Sequence, residues 1–545
     1  MFDWKEFEKA KDVLSEAGAN QYQQILGQHH LWLRPKDLRR CIEFVRDDLG
    51  YLVLVDIIGL DRIEEKSNFR YELVYHLLNM GNHQRLNIHL QFSPQEIIPS
   101  LEDFFSHADW LEREQKEMFN LQFDRKLSSL ILPLKQECWP LLKDAQIRSW
   151  PMEKTPELPV IQKNPNKSEA PYPQEAYVWK DIGLLSRETG GNFEWQVCLD
   201  PVKTVESRVN IGFHHQGFEK LLEKKDWLQT MHLVDRINYG ASPTYSIIWA
   251  KCLEDLFRIK LPERAQAIRI VMLELARIAD HLSVLHEITF AEGKDEHRHF
   301  INAREKIYEL FEKFCGHRQG FGFVSLGGVK EDLPHGWIIQ YQEVASILSK
   351  NLPVINKALL AQKDFKSKLS GPSINAQTIL QWAVSGPAMR ASGLNFDLRK
   401  SQPFYFYQEV DFDIPVGIYG TTFDRYLIRL EEIFQSLRII TQVIDNLPLG
   451  QIGNSEVDFP PLELLEYIGK QPSLSDFYTS CLESPGGEAG ISVWMGESRQ
   501  LKRVKFKTPS FNLAQALPHL TLGLSQDQLT SAVASLGIRR FELDR

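Results

Sequence analysis

The sequence predicts an α+β protein in which a small α+β domain and a proline-rich linker precede a larger, mainly helical domain. Three observations predict it. Strand-like runs rich in Val, Ile, Leu and Tyr gather between residues 51 and 92; proline, lysine and asparagine crowd the stretch 149–175; beyond it, apolar residues recur at three- and four-residue steps. The expected boundaries are therefore 1–148, 149–175 and 176–545.

In the first domain, Pro35 to Leu49 has a helical pattern, and "YLVLVDIIGLD", "FRYELVYHLLNM" and "RLNIHLQF" read as three strands separated by polar turns. In "DWLEREQKEMFNLQFD", Asp109 is placed to cap a short helix whose acidic turn reads as a solvated helix start. The linker "SWPMEKTPELPVIQKNPNKSEAPYP" is semi-extended, because each proline fixes its own φ and restricts its predecessor.

After two short strands, "WQVCLD" and "KTVESRVNIGF", long helical periods begin. Pro262 stands where a first-turn proline is tolerated, and Ala265, Ile268, Met272, Leu275, Ala279, Leu282 and Leu285 mark a core helix ending at Gly293. Further helices are expected at about 300–315, 335–361, 376–384 and 421–445, with a turn-rich, partly β interruption, "PFYFYQEVDFDIPVGIYG", at 403–420.

Composition bounds the function. With 545 residues, 43% hydrophobic and 25% charged, the chain supports more than one full core. A net charge of -9 and a pI near 6.0, without a dominant basic stripe, argue against nucleic acid as the main partner. The six cysteines are scattered, the closest pair 54 positions apart (252 minus 198), so local metal and iron–sulfur ligand patterns are absent. The N-terminal stretch lacks an apolar signal core, and no run approaches about 20 apolar residues. A soluble cytoplasmic chain able to dock onto a membrane complex is expected.

Few motifs declare chemistry. "SLGGVKEDLP" has neither GxGxxG nor a P-loop Lys-Ser/Thr and reads as a tight turn; no histidine pair has the HExxH form, and GxSxG and SxxK are missing. "MHLVDRINYGAS" at 231–242 is a polar knot between apolar segments. Its Asp235 and Arg236 fit either a capping ion pair or the wall of a site.

Read together, several stretches resemble the C and D subunits of the respiratory NADH–quinone oxidoreductase, complex I, fused into one polypeptide. "YELVYHLLNM" and "EREQKEMFNLQF" resemble the C subunit, with its Glu-Arg-Glu kept as Glu112, Arg113 and Glu114; Glu117 stands where that family has Asp, and Asn120 where it has Gly. "NIGFHHQGFEKLLE", "LPERAQAIRIVMLELARIADHL", "AREKIYELFEKFCG", "LGGVKEDLP", "SGPAMRASGLNFDLRKSQPFYFYQEVDFDIPVG", "DRYLIRLEEIFQSLRIITQVIDNLP" and the terminal "ELDR" resemble the D subunit.

That resemblance implies a D-like domain similar to the large subunit of [NiFe] hydrogenases. The hydrogenase ligand cysteines have no counterparts, since Asn238 and Ala241 follow Arg236 where thiolates would stand, so no nickel centre is expected. It implies a quinone head-group pocket with Tyr239 as its catalytic phenol and Asp235, Arg236, His232 and His215 as further candidates. The family's loop Gly-Pro-Gln-His-Pro-x-x-His-Gly aligns with "GLLSRETGG", which puts Ser186 and Gly190 in place of its histidines and Ala291 in place of the paired aspartate; Gln216 replaces an arginine beside His215. His214, His232, His286 and Glu292 are possible substitute proton groups.

Glu112, Arg113 and Glu114 are expected at a subunit interface. The chain itself would hold no cofactor: quinone is the expected ligand, and NAD(H), FMN and iron–sulfur clusters belong to partner subunits of a peripheral arm on the cytoplasmic face of the inner membrane. Two functions follow, a subunit shaping the cavity where electrons reach quinone with coupled ion translocation, or a degenerate scaffold of an ion-pumping assembly. A hydrogenase large subunit is excluded by the missing cysteines.

Overall fold

The computed structural model describes residues 21–25, 28–65, 68–132, 139–145, 177–186, 189–226, 229–454, 477–496 and 501–545. The linker expected at 149–175 and the amphipathic N-terminal stretch lie outside the described residues. Two compact units are present: Met1–Tyr177 with Asn210–His215 and Leu380–Ala383, and Val178–Val209 with Gln216–Ile379 and Val384–Arg545.

The first unit is built on a five-stranded sheet of β1 (Gln21–Ile25), β2 (Gln28–Leu33), β3 (Val53–Asp61), β4 (Tyr71–Leu78) and β5 (Arg85–Phe92), in the order β1-β2-β5-β4-β3. Only β2 and β5 run parallel; the other neighbours are antiparallel. Helix α1 (Leu38–Asp47) occupies the predicted position, and α2 (Ala108–Phe119) lies on β3. Gly59 permits that approach, because a Cβ there would stand 2.6 Å from Gln115 Oε1 and 2.8 Å from the Phe119 ring.

Strands β3 and β4 are buried along their whole length, so they read as apolar runs rather than alternating ones. Their polar residues survive by pairing: Glu72 bonds His89 at 2.7 Å, and His89 bonds His30 at 2.9 Å. Burial, then the neighbouring His89 and His29, pushes the His30 imidazole down to about 3.

The second unit mixes helices with two three-stranded sheets. The first sheet joins β6 (Val178–Ile182), β7 (Glu194–Asp200) and β8 (Lys203–Asn210). Then follow α3 (Phe218–Glu223), α4 (Met231–Val234), α5 (Pro243–Phe257), α6 (Glu263–Ala291), α7 (His297–Cys315), α8 (Trp337–Ala361), α9 (Gly386–Ala391) and α10 (Thr422–Asp445). The second sheet orders β9 (Phe477–Ser484), β10 (Gly487–Met495) and β11 (Leu501–Lys507), and α11 (Pro509–Leu520), α12 (Gln526–Ala534) and α13 (Arg540–Leu543) close the chain.

Helix α6 is the axis of this unit, packed by α7, α10 and α12. Its seven predicted core positions are all buried, but so are Arg269, Glu274, Arg277, Asp280 and His281. They belong to an ionic core in which Arg269 pairs with Glu254 at 2.7 Å, Arg399 with Glu274 at 3.1 Å, His281 with Glu432 at 2.7 Å and Arg390 with Glu432 at 2.7 Å. A charge so deep persists only when its hydrogen bonds are met, and here nearly every carboxylate oxygen faces a guanidinium, hydroxyl or imidazole.

Two expectations need correction. The 403–420 stretch has no strand; Tyr405–Gln408 is a 3-10 turn whose tyrosines turn into the ionic core, Tyr407 donating to Glu274 at 2.5 Å and Arg269 to the Tyr405 oxygen at 2.7 Å. Side-chain anchoring replaces the backbone ladder. The large domain is also less uniformly helical than expected, since β9–β11 build a sheet around the turn at Pro485 and Gly486.

Candidate functional site

The knot at 231–242 folds as α4 followed by a side-chain-built turn. Asn238 Oδ1 accepts the Gly240 and Ala241 amides at 2.9 and 3.1 Å, while its amide nitrogen donates to Glu542 at 3.2 Å. Glu542, from the terminal "ELDR", also accepts from Tyr245 at 2.9 Å. Gly240 must be small, because a Cβ would meet Asp280 Oδ1 at 2.8 Å.

Asp235 and Arg236 form no ion pair with one another. Asp235 is buried and accepts the Gly322 amide at 3.0 Å, and the Arg236 guanidinium lies 4.2 Å from the Phe321 ring centroid. Both therefore clamp the 319–322 turn. Burial raises the Asp235 pKa above the usual carboxylate value, against the lowering influence of Ser246 and Gly322.

Beside the knot lies a cavity of about 730 Å³, within the size range of small-molecule sites. Each wall comes from a different element. The turn supplies Ile237 to Gly240, the loop after β6 supplies Thr189, Gly190 and Asn192, and the C-terminal segment supplies Arg539 to Phe541. Helix α6 contributes Ser283, Glu287 and Ala291, one helical turn apart and so on one face; α7 contributes Arg304 and Tyr308 by the same spacing.

Tyr239 stands at the mouth, 40% exposed, with its ring 5.6 Å from Phe321 and 5.2 Å from Phe541. Its hydroxyl makes no hydrogen bond among the described residues. Behind it, Arg539 donates to Asp280 at 2.7 Å and to Glu287 at 3.1 Å, linking the C-terminal segment to α6; these carboxylates raise the Arg539 pKa against the opposing effect of burial. Arg304 donates to Ser283 at 3.1 Å. The result is a half-apolar chamber with a free phenol and guanidinium groups around it, suited to an aromatic ligand bearing oxygen acceptors.

Of the residues singled out from sequence, Asn238, Tyr239, Gly190 and Ala291 line this cavity together. Ser186 belongs to the same loop but does not line the cavity, its hydroxyl standing 3.0 Å from that of Thr189, whose own hydroxyl donates to the Leu184 carbonyl at 2.7 Å. His232 is exposed on α4 and lines nothing in the cavity; His214 and His215 belong to the first unit. His286 turns to the His297 carbonyl at 3.1 Å and Glu292 to Lys368 at 3.7 Å, so neither is a cavity proton group. Glu287, Arg539 and Phe541 carry no motif that marks them in sequence, and Arg304 and Tyr308 lie in the D-subunit-like stretch "AREKIYELFEKFCG" without being singled out there, although the four-residue steps 283–287–291 and 304–308 are there to be read.

In the first unit, Glu112 and Glu114 are buried rather than solvated, and Asp109 sits in the first turn of α2 after the N-cap residue His107. Glu112 accepts from Ser100 Oγ and the Leu101 amide, both at 2.7 Å; burial pushes its carboxyl up to about 7. Arg113 donates to the Ser128 carbonyl at 3.2 Å and to that of Ser129.

A family profile described as the 49 Kd subunit of respiratory-chain NADH dehydrogenase matches residues 297–545, and one described as the 30 Kd subunit matches residues 31–150. The chain is 30% identical over 529 residues to the C/D subunit of NADH-quinone oxidoreductase from Bdellovibrio bacteriovorus, covering 94% of each chain. It is 28% identical over 553 residues to the C/D subunit from Methylococcus capsulatus, again 94% of each. With that of Cereibacter sphaeroides it shares 27% identity over 569 residues, 98% of this chain and 97% of the relative.

Proposed function

Because the chain belongs to the family of fused C/D subunits of NADH–quinone oxidoreductase, we propose that it is a peripheral-arm subunit whose cavity receives a quinone head group. The observation that carries the proposal is the unengaged Tyr239 hydroxyl, held between two aromatic rings at the mouth of a cavity of about 730 Å³. A phenol donates a hydrogen bond to a quinone carbonyl and releases its proton as charge develops there. Asp235 and Arg236 serve by fixing the turn that carries Phe321, the ring against which Tyr239 is set.

In this proposal the electrons come from iron–sulfur clusters on partner subunits, with NAD(H) and FMN held further upstream, and this chain supplies shape, donors and protons. Residues 1–148 act as the C-like domain and 176–545 as the D-like domain with a hydrogenase large-subunit type of fold. No helix among the described residues is long and apolar enough to cross a membrane, which suits a subunit seated on the cytoplasmic face of a membrane arm. Glu112 and Arg113, both occupied internally, and the buried Glu114 would act at a subunit interface only by shaping α2.

The test is quinone reduction by the purified, cluster-loaded complex. Tyr239→Phe is expected to lower the rate about 10²-fold while the complex stays assembled. An intact complex that reduces no added quinone would favour the scaffold reading instead.

A further inference from the structure

We propose that Tyr308 is a second proton-donating contact of the quinone head group, acting beside Tyr239 in the same cavity; this rests on the cavity being the quinone site. Tyr308 lines the cavity one helical turn after Arg304. Among the described residues no imidazole lines that space, and its two phenols are Tyr239 and Tyr308. The Tyr308 hydroxyl makes no hydrogen bond there, so it is uncommitted, as the Tyr239 hydroxyl is.

The surroundings suit proton donation. The ring lies under two guanidinium groups, with Arg304 at 5.3 Å and Arg318 at 5.6 Å from its centroid. The charged groups that face it are Arg304 and Glu305 on its own helix, Arg318 from the turn that follows that helix, Asp280 on α6 and Arg539 on the C-terminal segment. Burial raises the Tyr308 pKa and keeps the phenol protonated at cellular pH, while Arg304 and Arg539 favour the phenolate left after transfer.

The chemistry balances. A quinone takes two electrons, one at a time, from a reduced iron–sulfur centre of a partner subunit, and one proton from each phenol. Both carbonyls become C–OH, two O–H bonds of tyrosine break, and water reprotonates the two phenolates. Glu287, 42% exposed and bonded to Arg539, stands in the cavity wall.

The experiment uses the purified complex with a short-chain benzoquinone as acceptor, and ferricyanide as an acceptor that needs no protons. Tyr308→Phe is expected to lower kcat for quinone about 10²-fold with KM little changed and ferricyanide reduction intact. A difluorotyrosine at position 308, which makes the phenol more acidic with little change of shape, is expected to move the alkaline limb of the kcat profile to lower pH. Should the Phe variant fail to assemble, the fluorinated chain decides. Full quinone turnover in Tyr308→Phe, or an unmoved pH profile in the fluorinated chain, overturns Tyr308 as donor and leaves the quinone site standing. A wild-type complex that reduces ferricyanide but no quinone overturns both.

Discussion

Glu112 shows how far a single residue's meaning depends on where it is folded. In sequence it belongs to an acidic helix start; in the structure it is fully buried, satisfied by Ser100 and Leu101, with a carboxyl pushed up to about 7. Its folded pKa lies above the unfolded value near 4.3, so its contribution to stability is present below that value and is lost as pH rises toward 7. Glu112→Gln is therefore expected to flatten the pH dependence of unfolding between about pH 4.5 and 7, a window holding roughly 3 kcal/mol. Denaturant midpoints measured across that range check it; parallel wild-type and variant curves would refute the assignment. Tyr239 was legible at this scale because its motif assigns it a role, whereas Arg304 and Tyr308, although inside "AREKIYELFEKFCG", look like ordinary helix-surface residues until the cavity assembles around them.

At the scale of elements, α2 ends on Asn120, whose φ of 58 and ψ of 36 put it in the left-handed region. Asparagine tolerates that conformation better than other side chains, which explains why it can stand where the C-subunit pattern has glycine. Asn120→Gly is expected to be neutral or stabilising by up to about 1 kcal/mol, and Asn120→Val to cost about 1–2 kcal/mol. Thermal unfolding of the two variants separates these outcomes. Helix α6 was legible from its apolar steps, yet its buried charges were not, because apolar periodicity places Arg277 or His281 on the solvent side. Strands β9–β11 were not legible because buried Thr479, Ser480, Glu483 and Ser492 break the apolar alternation that marks a strand.

Across the whole molecule, the second unit is held by charges brought together from distant parts of the chain. Glu432 on α10 meets Arg390 on α9 and His281 on α6, each at 2.7 Å. Glu432→Gln leaves the buried Arg390 short of a counter-charge and is expected to cost roughly 3–5 kcal/mol, read as a lower Tm of the purified complex. An unchanged Tm would mean that the remaining carboxylates Asp397 and Glu483 carry Arg390 by themselves. The C-terminal tail works at the same scale, since Glu542 ties Asn238 and Tyr245 together and Arg539 ties Asp280 to Glu287. By itself the sequence determined the α+β class, the position of the long core helices and the family, because local apolar period and motif identity are written along the chain. Only the tertiary structure decided which polar groups are core and which line the cavity. Asn238, Glu287, Tyr308 and Arg539 are far apart in the chain, and their roles exist only as distances between elements.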